Sequence, residues 1–485
     1  MNPKMWLAIL IVFTVVSPAC GCAATPSPPA SLSPTAGSED ARTPGSHSHT
    51  PSRQPPEPTA TPAPLTTTPT PSPTATPTLT PSPTPTPSPT SAPTRTPTPQ
   101  PDQLVAAPGT AWNFELAGHN PIDAIGWHAA LALKDRCAYV GSYRHSAVTI
   151  LDVSDPTSPI QLEPLDLPAG TQPVEVRTIP ELDLLVVADL SPAAWLLTYN
   201  ISDCAAPQPL GATNLVHAAH EFYLWHDGDR VLVYGATFAH FPPNLIVVDL
   251  TDPTQPQEVT RWTAAQDGVP GVLHSLSVSR DGSRAYLAMW NGGFVVAEVD
   301  LPELEVARGP DGGFGPARLP NVHSAVPLQD GRFVLLASEV FYCPFAGLGV
   351  ADISDPAYPQ IISRFRLPEN RCENLPGGIY TPHNPLVVGD IALVSWYGAG
   401  VQAVDLSDPA APARLGQFVP QGVPEAPRTT FSSYVIQMFS YPIVRDGLIY
   451  AADSVGGLYI LRYTGPRADW LAGVTHAESN VTVLQ

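Results

Sequence analysis

His128, His220, His274, His323 and His383 each stand seven residues ahead of an aspartate: Asp135, Asp227, Asp281, Asp330 and Asp390. A fixed offset between an imidazole and a turn-forming carboxylate marks one equivalent position in a repeated unit. Imidazoles gathered at one place can ligate zinc, copper or iron. They can also relay a proton, or simply hydrogen-bond a neighbouring turn and brace the repeat. Strand residues rise ~3.3 Å each, which puts the aspartate at the far end of the strand that its histidine opens. Any carboxylate partner must therefore come from another loop. His217, Glu221 and Glu175 are further candidate ligands, the first two flanking His220 and the third near the corresponding place in the preceding unit.

The elements that must position these histidines are short strands. His128-Ala-Ala-Leu-Ala-Leu-Lys-Asp135, His274-Ser-Leu-Ser-Val-Ser-Arg-Asp281 and His323-Ser-Ala-Val-Pro-Leu-Gln-Asp330 each read as an apolar run closed by a hairpin turn. A second β-rich run follows, as in Arg284 to Met289 and Phe333 to Ser338. The third run ends in a recurring phrase: Leu151-Asp-Val-Ser-Asp-Pro156, Val248-Asp-Leu-Thr-Asp-Pro253, Ala351-Asp-Ile-Ser-Asp-Pro356 and Val404-Asp-Leu-Ser-Asp-Pro409. Weaker copies stand at Asn200-Ile-Ser-Asp203 and Glu298-Val-Asp300. A β-branched run, side chains that cap a turn, then proline to stop the ladder describe the end of a strand.

The marks recur from residue 152 to 200, 249, 298, 352 and 405, about the length of one four-stranded propeller blade. Six units carry the phrase or its remnant. A seventh runs from Phe439 through Asp446 to Leu461 without an outer strand of its own, and the alternating Trp112, Phe114 and Leu116 can supply one. The expectation is an all-β, seven-bladed β-propeller, with six or eight blades as alternatives, in which an N-terminal strand closes the last blade and removes two open sheet edges. The first strand of each blade lines the channel, so the histidines are expected at its mouth.

The Asp-hydrophobic-Ser-Asp-Pro phrase resembles the LVIVD repeat of bacterial surface propeller proteins over nearly all of 107–466. The resemblance implies the fold and no single activity. More distantly, the histidine pattern is similar to propellers that line their channel with histidines around copper, such as nitrous oxide reductase and the selenium-binding, methanethiol oxidase-like proteins. No cysteine motif of the selenium-binding kind is present, so that activity is not carried over and no catalytic residue is assigned.

The ends bound the setting. Lys4 and the apolar Met5 to Val16 read as a signal peptide within 1–22. Cys20 or Cys22 lies where a bacterial lipoprotein would be lipidated, although leucine is missing three positions upstream; an uncleaved anchor is the alternative. Both readings place the chain outside the cytoplasmic membrane and tethered to the cell surface. Residues 23–106 are a Pro/Thr/Ser-rich linker with too little apolar surface to fold. The propeller spans 107–466, and 467–485 is a C-terminal tail whose order the sequence does not decide, beyond suggesting a loose end. A net charge of −20 at 14% charged residues argues against nucleic acid, and a monomer is expected.

Four further cysteines, an even number in an exported chain, suggest disulfides Cys343–Cys372 and, second, Cys137–Cys204. The loops after the second strands carry Tyr143, His145, His240, Glu339, Tyr342, Trp396 and Tyr397, a possible binding rim. Ser275 and Ser324 follow histidines directly on a strand and should point the opposite way, which argues against a serine hydrolase. Two functions remain: a propeller that binds a transition metal (copper, iron or zinc) through His128, His220, His274, His323 and His383, or a non-catalytic display module that binds a surface protein or glycan.

Overall fold

The computed structural model describes residues 106–122, 127–215, 217–238, 242–328, 331–371, 378–422 and 436–482. All belong to the second of the two units into which the chain divides, Ser91–Gln485. The expected leader, Cys20, Cys22 and the linker up to residue 105 lie outside the described residues, as do Asp330, His240 and Cys372. Among the described residues no helix is long and apolar enough to cross a membrane.

Among the described residues strands pair into seven antiparallel sheets, five built from consecutive segments and two completed by N-terminal strands, and form a seven-bladed β-propeller. The innermost strands are His128–Lys134, Pro173–Ile179, Glu221–His226, Ser275–Val278, Val322–Pro327, Pro385–Val388 and Ile443–Arg445. One cluster of buried aliphatic and aromatic side chains sits between each pair of adjacent blades, including the pair formed by blades 1 and 7. Each fully buried Leu, Ile or Val there contributes about 1.5–3 kcal/mol, and no single core holds the ring.

The recurring phrase works as two successive side-chain-capped turns. Asp152 Oδ1 accepts from Ser154 N at 2.9 Å and Ser154 Oγ at 2.6 Å; Asp155 Oδ1 then accepts from Thr157 N at 3.0 Å. The pattern recurs at Asp249, Asp252, Asp352, Asp355, Asp405 and Asp408. The proline of the phrase then presents its carbonyl to the preceding blade, to its third strand at Thr198 and its outer strand at Ser363. Pro253 O accepts from Thr198 Oγ1 at 2.6 Å and Pro409 O from Ser363 Oγ at 2.6 Å. At the joint between blades 7 and 1, Gly118 is packed against Pro156 O so closely that a methyl group could not fit. The phrase is thus both a strand end and a blade-to-blade latch.

Ring closure follows the expected permutation with one difference. Phe114–Asn120 pairs with Gly457–Tyr463 and completes blade 7. Trp112, expected on the same blade, instead joins Ala111 beside the outer strand of blade 6, opposite Phe418 and Gln417. Asn113, at φ 58°, turns the chain between the two blades and anchors itself through Nδ2 to Leu415 O at 2.6 Å. Cys137 and Cys204 form a disulfide that joins blades 1 and 2. The Cys343–Cys372 pairing falls partly outside the described residues.

The tail is the main correction. Instead of a loose end, Ala468–Ala472 forms a short helix and His476–Ala477 pairs with Val444 and Arg445 on the innermost strand of blade 7. Glu478, Ser479, Asn480, Val481 and Thr482 are then buried inside the ring. Val481 bridges Leu224 of blade 3 in parallel, while Ser479 Oγ donates to Pro385 O of blade 6 at 2.9 Å. A short polar stretch carries no periodic signal; its partners are supplied by strands remote in sequence.

Candidate metal centre at the channel mouth

Consecutive innermost strands of blades 3 to 6 bring four histidines into one arc. Ring centroids are separated by 4.6 Å between His220 and His274, 4.0 Å between His274 and His323, and 4.1 Å between His323 and His383. His274, His323 and His383 are buried; His220 is partly exposed as a residue, although its Nδ1 is buried. Two carboxyl groups complete the arc. Glu221, His274 and His323 lie within 4.8 Å of one another at their ligand atoms, as do His323, Glu339 and His383. His323 Nε2 is 3.7 Å from Glu221 Oε1, and His383 Nε2 is 3.8 Å from Glu339 Oε1. Glu339, expected from the sequence on the rim, is grouped with His323 and His383.

The hydrogen bonds around the rings leave several buried ring nitrogens without a partner among the described residues. His383 Nδ1 donates to Phe439 O at 2.7 Å, which fixes its tautomer and leaves Nε2 as the ligand atom. His323 Nδ1 lies 2.7 Å from Ser324 Oγ, and that hydroxyl can donate onward to His383 O at 3.2 Å. His323 Nε2, His274 Nδ1 and His220 Nδ1 have no hydrogen-bond partner among the described residues. The Ser324 contact corrects the expectation that this serine points away from its histidine. The strand pairing shifts register between Val322 and Ser324, so the local alternation of faces is broken. Ser324 is buried in a network with Asn384 and Tyr441.

Burial sets the charge state. It depresses His220 to about 4 and His383 to about 3, and holds His274 and His323 well below the usual imidazole range. The same burial raises Glu221 to about 7 and Glu339 to about 8. Tyr441 OH donates to Glu221 Oε2 at 3.0 Å, and Tyr397 OH donates to Glu339 Oε1. Neutral imidazoles and desolvated carboxyls, oriented by phenols, form a donor set short of positive charge. Beside them a cavity of about 10 Å³ is lined by Glu175, His220, Glu221, His383, Asn384 and Phe439, among others. That is room for one water-sized occupant.

Three expected members fall elsewhere. His128 is buried in blade 1 but makes no ring contact with the other four among the described residues; burial and nearby His145 lower it to about 4. His217 turns outward, with Nε2 3.1 Å from Pro242 O. Glu175 lines the cavity yet is ion-paired with the fully buried Arg177. The arc ends on blade 7 because Phe439 replaces histidine there, its ring 4.0 Å from that of His383. Asn384 and Tyr441 were missed, since an isolated Asn or Tyr at a strand start carries no pattern.

The LVIVD repeat model matches residues 130–165 and 344–366, which hold the phrases of blades 1 and 5. The chain carries LVIVD repeats. No curated protein sequence matches this LVIVD propeller. Among solved structures it is similar to hydrazine synthase from Kuenenia stuttgartiensis (TM-score 0.50, 13% identity, 71% of this chain and 97% of that one). The β-propeller domain of Cps50 (Swd1) from Myceliophteria thermophila is also similar (TM-score 0.47, 11% identity, 72% and 99% covered). At such identities the likeness concerns the fold alone, and none of these matches shows a likeness to copper propellers.

Proposed function

We propose that this LVIVD propeller binds one transition-metal ion at the mouth of its channel, through His274, His323 and His383 with Glu221 or Glu339, and with His220 at the edge. The observation that carries the reading is the set of buried ring nitrogens left without partners around two buried carboxyls. Burying that many polar atoms unpaired is costly unless a cation meets them. Imidazole with carboxylate suits zinc, iron and copper, with copper(II) expected to bind tightest in vitro. A bound ion would supply Lewis acidity or, if copper or iron, electron transfer.

We further propose that the propeller works outside the cytoplasmic membrane, tethered through the N-terminal segment. The Cys137–Cys204 disulfide supports an oxidising compartment.

Elemental analysis of the purified full chain tests the metal reading. About one equivalent of metal is expected in the wild type and none in the triple variant His274→Ala, His323→Ala, His383→Ala. Equal metal in both would move the site elsewhere; a metal-free wild type that also refuses added copper, iron and zinc leaves the display module as the better reading.

A further inference from the structure

The second strands of blades 3, 4 and 6, Val231–Ala236, Arg284–Ala288 and Ile391–Ser395, are followed two residues later by Phe238, Trp290 and Tyr397. All three take a left-handed backbone, at φ 49°, 34° and 31°. Bulky side chains rarely enter that region, and such strain persists at sites where a function holds it in place. Each strained residue also reaches the next blade, one residue ahead of its channel-mouth position. Phe238 N donates to Leu273 O at 3.1 Å, beside His274; Val322 N donates to Trp290 O at 2.9 Å, beside His323; Met438 N donates to Tyr397 O at 3.2 Å, beside Phe439. The side chains then rest on the imidazoles. Phe238 lies 5.2 Å from His220 and 4.6 Å from His274 between ring centroids, and Trp290 stacks on His274 at 4.8 Å with the planes 18° apart. Tyr397 stands edge-on to His383 at 5.2 Å.

We infer, resting on the metal reading, that Phe238, Trp290 and Tyr397 are positioning residues of the centre: each ties one blade to the next and lays a ring on an imidazole, so that spacing and ring plane are set before an ion arrives. His383 has a hydrogen bond from Nδ1 to fix its ring, whereas Nδ1 of His220 and of His274 has no partner among the described residues. Those two imidazoles are the ones that Phe238 and Trp290 cover, and the two aromatic rings also touch one another, at 5.3 Å. The braces therefore stand where hydrogen bonds leave orientation unset. A side chain that only filled the loop would have no need of a backbone conformation that glycine adopts freely.

The test loads the full chain with copper(II) alone against a competing chelator and records its electron paramagnetic resonance spectrum, with circular dichroism as the check on folding. Trp290→Gly frees the strained backbone while deleting the ring; Trp290→Phe keeps an aromatic face; Phe238→Gly repeats the first change at the other half-buried brace. Both glycine variants are expected to keep the fold, to bind copper about 10- to 100-fold more weakly and to show altered hyperfine splitting, and Trp290→Phe is expected to recover most of the affinity. Wild-type affinity and spectrum in a folded glycine variant overturn the inference. Failure of both glycine variants to fold overturns it too, since the two residues would then be structural. A wild type that takes up no copper sinks the metal reading and this inference together, an outcome distinct from a loaded wild type with indifferent variants.

Discussion

Tyr441 and Glu221 are 220 residues apart in sequence, yet the phenol of blade 7 donates to the carboxyl of blade 3 at 3.0 Å across the inside of the ring. Ser275 and Ser324 approach the same hydroxyl at 3.4 and 3.2 Å. Tyr441→Phe removes one oxygen without changing shape. Leaving buried acceptors short of a donor is expected to cost about 1–3 kcal/mol in urea unfolding and to weaken metal binding about tenfold. A variant as stable as wild type, with unchanged affinity, would show that the hydroxyl is a bystander.

His323 is shared by both three-residue groups, whereas His128 belongs to neither. His323→Ala is therefore expected to abolish stoichiometric metal, and His128→Gln to keep it. Metal content by mass spectrometry after dialysis distinguishes them; loss from His128→Gln and retention in His323→Ala would reverse the assignment.

The pH dependence of the metal-free protein has a defined sign. His128, His220 and His383 fall from 6.5 to about 4, 4 and 3, so their contribution is present above 6.5 and is lost as pH falls through those lower values. Glu221 and Glu339 rise from 4.5 to about 7 and 8, so theirs is present below 4.5 and is lost as pH rises through 7 to 8. The two oppose one another between 4.5 and 6.5, and above 6.5 only the carboxyl contribution still changes. Chelator-treated protein is expected to lose stability from pH 6.5 to 8, and Glu339→Gln to lose less. A flat profile in denaturation midpoints over that interval contradicts the assignment.

Gly118 lies in the ring-closing strand against Pro156 O. Gly118→Ala is expected to destabilise the fold by about 1–3 kcal/mol through overpacking of backbone on backbone. Thermal unfolding of Gly118→Ala beside Gly170→Ala, where nothing stands within 4 Å, provides the comparison. Gly170 has φ 92°, so its own cost is local strain rather than collision. Equal loss in the two would refute a specific joint.

The Cys137–Cys204 bond closes a sequence separation of 67 residues. Replacing both cysteines by serine is expected to cost about 4 kcal/mol on the chain-entropy estimate, read as a drop in denaturant midpoint that added reductant reproduces in the wild type.

Blades were legible because their signal is local: strand alternation, turn aspartates and the Asp-hydrophobic-Ser-Asp-Pro phrase all fall within a few residues. The convergence of His220, His274, His323 and His383 followed from that repeat. What the repeat could not convey was contact between non-equivalent positions. Glu339 and Tyr397 come from neighbouring blades and meet only in three dimensions. His128 looks like its four counterparts in sequence, but blade 2 offers Glu175 in place of a histidine to link it to them, and blade 7 offers Phe439. The burial of Glu478–Thr482 depends on strands from blades 2, 3, 6 and 7, so a polar stretch with no period of its own read as solvent-exposed.

The stitch that runs from Ala106 to Asn120 has a mechanical meaning. Ala106 N donates to Glu369, Gly109 N donates to Val419 O at 3.1 Å, and Phe114–Asn120 lies on the last sheet. Traction applied upstream of Ala106 would meet the first two of these attachments before it reached the closing strand. Like a thread passed through several layers of cloth, this arrangement lets the anchorage yield link by link while the toroid stays shut.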